Sequence, residues 1–129
     1  MKNKKFNLTM LTDMYELTMA NGIFTSDMRD TVTYFDMFFR RVPDDGGYAV
    51  MAGLEQLIEY MTDLHFDDED IEYLKSLNLF CDEFIDYLKD FKFDCDVWAI
   101  PEGTVIFPKE PIETVRGTAM QALMLETMI

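Results

Sequence analysis

Basic residues, cysteine, histidine and long apolar runs are all scarce in this sequence of 129 residues. Only 11 Lys and Arg stand against 25 Asp and Glu, which gives a formal net charge of −14. Phosphate contacts need clustered cationic side chains, so this balance argues against a nucleic-acid partner and against an anionic membrane surface. No run of 18 apolar residues occurs, so no transmembrane helix is expected.

The few cysteines and the single histidine restrict the chemistry further. Cys81 and Cys95 lack C-x-x-C spacing, and we expect them to be reduced thiols, as is usual in the cytosol. The basic N-terminus is not followed by the apolar segment of a secretory signal, so a cytoplasmic protein is expected. His65 precedes the acidic run 67–70, whose spacing fits no EF-hand loop. An acidic helix start explains that run through the helix dipole, so no metal site is expected.

What is abundant is apolar: hydrophobic residues make up 49% of the chain and aromatic residues 14%. This composition and length are typical of one globular domain with one core. Apolar periodicity and turn signals predict a mixture of the two kinds of secondary structure. The predicted helices cover 12–23, 49–63, 68–76, 80–90 and the residues from 118 onward, and the predicted strands cover 31–40, 94–100, 104–107 and 113–116.

The last residues, 118–129, form a strongly apolar helical pattern without a C-terminal capping signal. A native terminus usually ends in polar residues, so we expect the chain to be a fragment of a longer protein. The side chains at helical spacing on one face, Met120, Leu123, Met124, Thr127 and Met128, would then be either bare or turned onto another copy. Because contiguous exposed apolar surface drives association, the pattern predicts self-association through this helix.

Three segments in order carry the strongest signal. They are residues 11–20 (LTDMYELTMA), residues 38–43 (FFRRVP) running on to GGYAV and AGLE within 46–55, and residues 101–108 (PEGTVIFP). Together they resemble the N-terminal region of nicotinate phosphoribosyltransferase, and the resemblance covers nearly the whole chain. It implies an α+β fold, a small antiparallel sheet with helices packed on one side. Residues 1–129 would be this N-terminal sandwich domain of the nicotinate/quinolinate phosphoribosyltransferase type, ending in a helix that leads into a missing C-terminal α/β barrel.

The resemblance also implies a function for the parent protein. Such enzymes condense nicotinate with phosphoribosyl pyrophosphate to nicotinate mononucleotide in NAD salvage, coupled to ATP hydrolysis and using Mg2+. In this family the phosphate sites and a phosphorylated histidine belong to the barrel. We therefore expect this fragment to contain no catalytic residue, to bind no cofactor and to be inactive alone. A homodimer is expected, because the N-terminal domain reaches an active site of the other subunit.

Three residues are candidates for substrate binding. From helical spacing alone Tyr15 is more simply a core residue, but in the family the tyrosine of the Leu-Thr-Asp-x-Tyr segment lies against the nicotinate ring. Asp13 is either a helix N-cap, a role open to Thr12 as well, or a residue that orients the site. Arg40, in the family pattern Phe-x-Arg, is the third candidate, because strand alternation places Arg40 and Arg41 on opposite faces and the guanidinium recognises carboxylates and phosphates.

Two further features are expected to be structural. The pair Gly46-Gly47 lacks the framework of a phosphate-binding loop and predicts a turn. Glu102 has no partner carboxylate and is expected to form the corner of a hairpin.

Two alternatives stay open: a non-catalytic small-molecule-binding or protein-interaction module, and a nicotinamide-specific relative. The segments 38–43 and 101–108 favour the nicotinate branch. The reading frame beyond Ile129 would discriminate the enzyme from the module.

Overall fold

The structure, a computed structural model, describes residues 7–129 apart from the side chain of residue 45. The basic residues 1–5, part of the signal-sequence prediction, lie outside the described residues. Within this range the helices are α1 (Met14–Phe24), α2 (Leu54–Asp63), α3 (Asp68–Ser76), α4 (Asp82–Lys89) and α5 (Ala119–Leu123), with a 3-10 turn at Pro43–Asp45. The strands are β1 (Val32–Met37), β2 (Ala49–Val50), β3 (Asp96–Ala99), β4 (Val105–Ile106) and β5 (Glu113–Thr118).

The main sheet is antiparallel and has the order β1-β5-β3, so the last strand of the chain lies at its centre. Val32 pairs with Thr118 at one end of β1, and Met37 pairs with Glu113 at the other. A second, smaller sheet joins β2 to β4. β-Branched and aromatic residues fill four of the six positions of β1 and two of the four of β3, as expected of a pleated surface.

The helices cover only one face of the main sheet. Val115 of β5 is fully buried on that face, in a core with Leu17 of α1, Leu74 of α3 and Phe84 of α4. On the other face the side chains of Tyr34 and Trp98 are 66% and 54% exposed. The predicted α+β fold, a small antiparallel sheet with helices packed on one side, is confirmed.

The acidic run 67–70 forms the N-cap and first turn of α3, and two of its members make a capping box. The Asp67 side chain accepts a hydrogen bond from the Asp70 backbone N–H at 3.0 Å, and the Asp70 carboxylate accepts one from the Asp67 N–H at 3.0 Å. These bonds satisfy donors that every helix N-terminus leaves free. The interpretation of the run as an acidic helix start is therefore confirmed.

Helix α2 begins later than predicted, and its cap comes from elsewhere in the chain. The predicted helix 49–63 is wrong at its start, because Ala49 and Val50 pair with β4 and Gly53 is left-handed at a φ of 107°. The Glu102 carboxylate accepts hydrogen bonds at 3.1 Å from the backbone N–H groups of Gly53 and Leu54. The turn at 101–103 thus caps a helix that lies about 50 residues earlier in the chain. The prediction of a hairpin corner at Glu102 is wrong, because β3 and β4 on either side of this turn belong to different sheets.

The apolar C-terminal segment is covered, contrary to the sequence prediction. Helix α5 is short, and Met120, Leu123 and Met124 are only 3%, 3% and 4% exposed. They pack into the core beneath the sheet together with Leu17 and Val115. The prediction of a bare apolar stripe is wrong, and with it the physical basis for self-association through this helix.

Two smaller observations complete the fold. Cys81 and Cys95 are both free thiols, as expected, and burial beside Asp94 and Asp96 raises the pKa of Cys95 to about 11. No helix within residues 7–129 is both long and apolar enough to cross a membrane.

Candidate functional site

Tyr15 stands at the start of α1 with its ring 45% exposed. Its hydroxyl donates a hydrogen bond to the carboxylate of Glu126, in the segment that follows α5. This hydrogen bond, followed by partial desolvation and the charges of Glu126, Glu16 and Asp13, raises the pKa of Tyr15 to about 12. The phenol is therefore neutral at physiological pH, and one part of its ring surface is free to contact a ligand.

Asp13 occupies the N-cap position of α1, but its side chain makes no capping hydrogen bond. The expectation that the side chain of Thr12 or Asp13 caps this helix is wrong. Instead the Asp13 backbone N–H donates to the hydroxyl of Thr127 at 3.2 Å. Since its side chain is exposed beside Tyr15, the alternative in which Asp13 orients a ligand keeps its geometric basis.

Glu16 is the residue of this site that the sequence analysis missed. It is fully buried, and its two carboxylate oxygens accept hydrogen bonds from the hydroxyls of Thr12 and Thr127, the latter at 2.5 Å. The carboxylate lies close enough to Tyr60 that burial and its charge together raise the pKa of Tyr60 to about 12. The one sequence signal was an acidic residue on the same helical face as the apolar Leu17 and Ala20.

Arg40 lies apart from this cluster. Strand β1 ends at Met37, so alternation does not assign Arg40 and Arg41 to opposite faces, and both side chains are exposed. Within the described part of the chain, no hydrogen bond or ion pair links Arg40 to Tyr15 or Asp13. The structure brings Tyr15 and Asp13 together around residues 126–127 and does not bring Arg40 to them.

The end of β1 nevertheless faces the same side of the molecule as the C-terminal segment. Met37 lines a cavity of about 210 Å³ together with Met128, Ile129 and Glu113. The loop after β1 is held by a hydrogen bond from the Lys109 N–H to the Phe39 carbonyl at 2.9 Å. Arg40 is the next residue after Phe39 and lies three positions in sequence after Met37, which lines the cavity.

The remaining titratable groups do not assemble a metal site. Across residues 7–129, no three His, Cys, Asp or Glu side chains converge in a way that could hold a metal ion. His65 lies before α3 with its Nδ1 2.5 Å from the Asp63 carbonyl. The neighbouring carboxylates of Asp67 and Asp70 are engaged in the capping box.

The fold and site thus define a small α+β domain that presents a tyrosine and an aspartate at the start of its first helix. The family model of the nicotinate phosphoribosyltransferase (NAPRTase) N-terminal domain matches residues 10–129. The chain therefore belongs to this family.

Named relatives agree with the family match. The chain is 40% identical over 120 residues to nicotinate phosphoribosyltransferase pncB2 of Mycobacterium tuberculosis, covering 93% of this chain and 26% of the relative. It is 39% identical over 126 residues to nicotinate phosphoribosyltransferase of Bacillus subtilis, covering 98% and 26%. The crystal structure of human nicotinic acid phosphoribosyltransferase superposes with a TM-score of 0.81 at 31% identity, over 90% of this chain and 24% of that one. The chain spans about a quarter of the length of these relatives.

Proposed function

We propose that this chain is the N-terminal part of an enzyme that joins nicotinate to phosphoribosyl pyrophosphate, giving nicotinate mononucleotide and pyrophosphate. In this proposal the enzyme acts in the cytoplasm as a homodimer, and the chain supplies one wall of the site for the pyridine ring. The observation that carries the proposal is the placement of Tyr15. A rigid aromatic ring is held at the surface of a domain whose relatives are named for nicotinate transfer.

The chemistry of Tyr15 suits a flat aromatic ligand. Its hydroxyl is bonded to Glu126, while 45% of the residue remains accessible, so the ring itself is available for contact. Aromatic pairs prefer offset-stacked or edge-to-face contacts and gain about 0.5–1.5 kcal/mol beyond the burial of area. Asp13 lies two residues earlier at the same helix end, where its exposed carboxylate is placed to orient groups around the ring.

The test is a pair of substitutions in the protein expressed from the whole reading frame around this chain. Tyr15→Ala should raise the KM for nicotinate by about tenfold, because about 1–1.5 kcal/mol of ring contact is lost. The KM for phosphoribosyl pyrophosphate should change much less. Tyr15→Phe keeps the ring and loses only the bond to Glu126, so its nicotinate KM should stay near the wild-type value. Steady-state kinetics of the wild type and both variants, with each substrate varied in turn, gives the KM values to be compared.

An unchanged nicotinate KM in Tyr15→Ala would contradict the role of Tyr15. Absence of any nicotinate-dependent release of pyrophosphate from the wild-type protein would contradict the proposed function itself.

The phosphate and ATP chemistry is not assigned to this chain. ATP and Mg2+ would need a phosphate cradle or converging carboxylates, and the described residues offer neither. The net charge of −14 also repels a polyphosphate. These residues therefore do not fit ATP or Mg2+, and calorimetry of the 129-residue chain should show no binding of phosphoribosyl pyrophosphate at near-physiological salt. Saturable binding with a micromolar Kd would contradict this and direct attention to Arg40 and Arg41.

A further inference from the structure

The start of α1 is tied to the last segment of the chain by three side chains centred on the buried carboxylate of Glu16. We call Thr12, Glu16 and Thr127 the carboxylate bridge. Both threonine hydroxyls donate to Glu16, one to each oxygen, and Thr127 also accepts from the Asp13 backbone N–H at 3.2 Å. Each polar atom of the Glu16 side chain is thus satisfied inside the protein, with the carboxylate fully buried.

A bridge of this kind fixes geometry more tightly than apolar packing does. Hydrogen bonds to an ionised group are short and directional, whereas apolar contacts tolerate rotation and sliding. Helix α1 otherwise packs on the core through apolar side chains, the buried Leu17 and Ala20 and, at its C-terminal end, the partly buried Ile23 and Phe24. The carboxylate bridge adds a directional constraint at its N-terminal end, where Tyr15 and Asp13 lie.

The same two segments are joined a second time at the surface. Tyr15 and Glu16 are adjacent in α1, and their partners Glu126 and Thr127 are adjacent in the C-terminal segment. The inner link, Glu16 to Thr127, therefore sets the distance and register at which the outer link, Tyr15 to Glu126, forms. Both links span 111 residues of sequence.

We propose that Glu16 is a positioning residue that holds Tyr15 in place by anchoring α1 to residues 126–127. As a consequence for activity, loss of the bridge would weaken nicotinate binding although Glu16 itself is buried and touches no ligand. This consequence rests on the proposed function, whereas the anchoring itself does not.

The anchoring is tested without any assay of activity. In protein labelled with 13C at tyrosine Cζ, the Tyr15 resonance is assigned by its loss in Tyr15→Phe. Glu126→Ala removes the acceptor and so defines the resonance position of an unbonded Tyr15. At pH 7, Glu16→Ala should move the Tyr15 signal to that position, and Glu16→Gln should leave it near wild type, because the amide can still bond both hydroxyls.

Thr127→Val is a second, independent test of the anchoring of α1. It keeps the side-chain shape, removes only the hydroxyl, and should displace the Tyr15 signal as Glu16→Ala does. This variant decides the matter if Glu16→Ala fails to fold. A Tyr15 signal that stays at its wild-type position in Thr127→Val would overturn the proposal.

Kinetics of the protein from the whole reading frame then test the functional consequence. Glu16→Ala should raise the nicotinate KM by about tenfold, as in Tyr15→Ala, with kcat and the KM for phosphoribosyl pyrophosphate little changed. Glu16→Gln should restore the KM. Ile85→Val is the matched control, because it loosens the buried face of α4 without touching the bridge.

The two kinds of failure are distinguishable. An equal rise in nicotinate KM in Ile85→Val would mean that loss of stability, not loss of positioning, raises KM, and would overturn the functional consequence. A wild-type protein without nicotinate-dependent activity would overturn the proposed function, while the tyrosine resonance would still decide the anchoring.

Discussion

Glu16 and Glu113 are two carboxylates buried in the same small domain, and their surroundings are opposite. Glu16 is fully buried, and both of its oxygens accept hydrogen bonds. Glu113 is 4% exposed at the start of β5, where it lines the 210 Å³ cavity. Its Oε2 has no hydrogen-bond partner among the described residues, and burial raises the pKa of its carboxyl group.

The difference shows that burial of a charged group does not by itself mark a functional residue. A buried carboxylate is costly unless its oxygens are satisfied. The bonds made by Glu16 compensate that cost and fix the position of α1, whereas Glu113 is held in place by strand pairing with Met37 and Ala99. Glu16 thus holds its neighbours in position through hydrogen bonds, whereas Glu113 is held in position by the strands on either side of it.

The largest effect is expected at Glu16. Glu16→Leu replaces the carboxylate by an apolar side chain of similar size and leaves the hydroxyls of Thr12 and Thr127 without this acceptor. Loss of two charge-assisted hydrogen bonds should lower the free energy of unfolding by about 3 kcal/mol. Urea unfolding of the wild type and the variant at pH 7 measures the difference. A loss no larger than that of a surface substitution would contradict the interpretation of the bridge.

At Glu113, removal of the carboxylate is expected to increase the free energy of unfolding. Glu113→Met fills a similar volume and removes the unsatisfied oxygen, and should raise the free energy of unfolding by about 1–3 kcal/mol at pH 7. Because the folded-state pKa of Glu113 is raised, its unfavourable contribution is present at neutral pH and disappears as the pH falls below the unfolded pKa. Unfolding measured between pH 7 and pH 4 should therefore show the gain shrinking on acidification. A gain that does not vary with pH would exclude the carboxyl charge as its cause.

A smaller effect is expected where a carboxylate caps a helix from outside. Glu102→Ala leaves the backbone N–H groups of Gly53 and Leu54 to solvent. It should lower the free energy of unfolding by about 1–2 kcal/mol. Glu102→Gln retains one acceptor oxygen and should recover about half of that loss. Glu102 is exposed, whereas the carboxylate of Glu16 is fully buried, so the loss at Glu102 should stay below that at Glu16. Thermal unfolding of the three proteins, monitored by helical circular dichroism, makes the comparison.

The parts of the fold that depend on local chemistry were predictable from sequence. The acidic run 67–70 specified the capping box of α3 because its donors and acceptors lie three residues apart. The β-branched and aromatic content of 31–40 specified strand β1, although the strand ends earlier, at Met37. Apolar periodicity also identified α1 and α4 to within a few residues at each end.

The parts that depend on distant residues were not predictable. The cap of α2 comes from Glu102, and the start of α1 is satisfied by Thr127, so no local pattern indicates either. The apolar stripe of α5 looked unpartnered because its cover, the face of the sheet with Val115, is formed only in three dimensions. Tyr15 was predicted as a site residue through family resemblance, while Glu16 next to it was not, since its role depends on a contact 111 residues away.

The long span of the carboxylate bridge has a consequence for synthesis on the ribosome. Helix α1 leaves the exit tunnel well before Glu126 and Thr127, because 111 residues separate each pair of partners. At typical rates of about 5–20 residues per second, at least several seconds separate the two events. During that interval Tyr15 and Glu16 lack the partners that hold them, so the start of α1 stays without its anchor until residues 126–127 emerge.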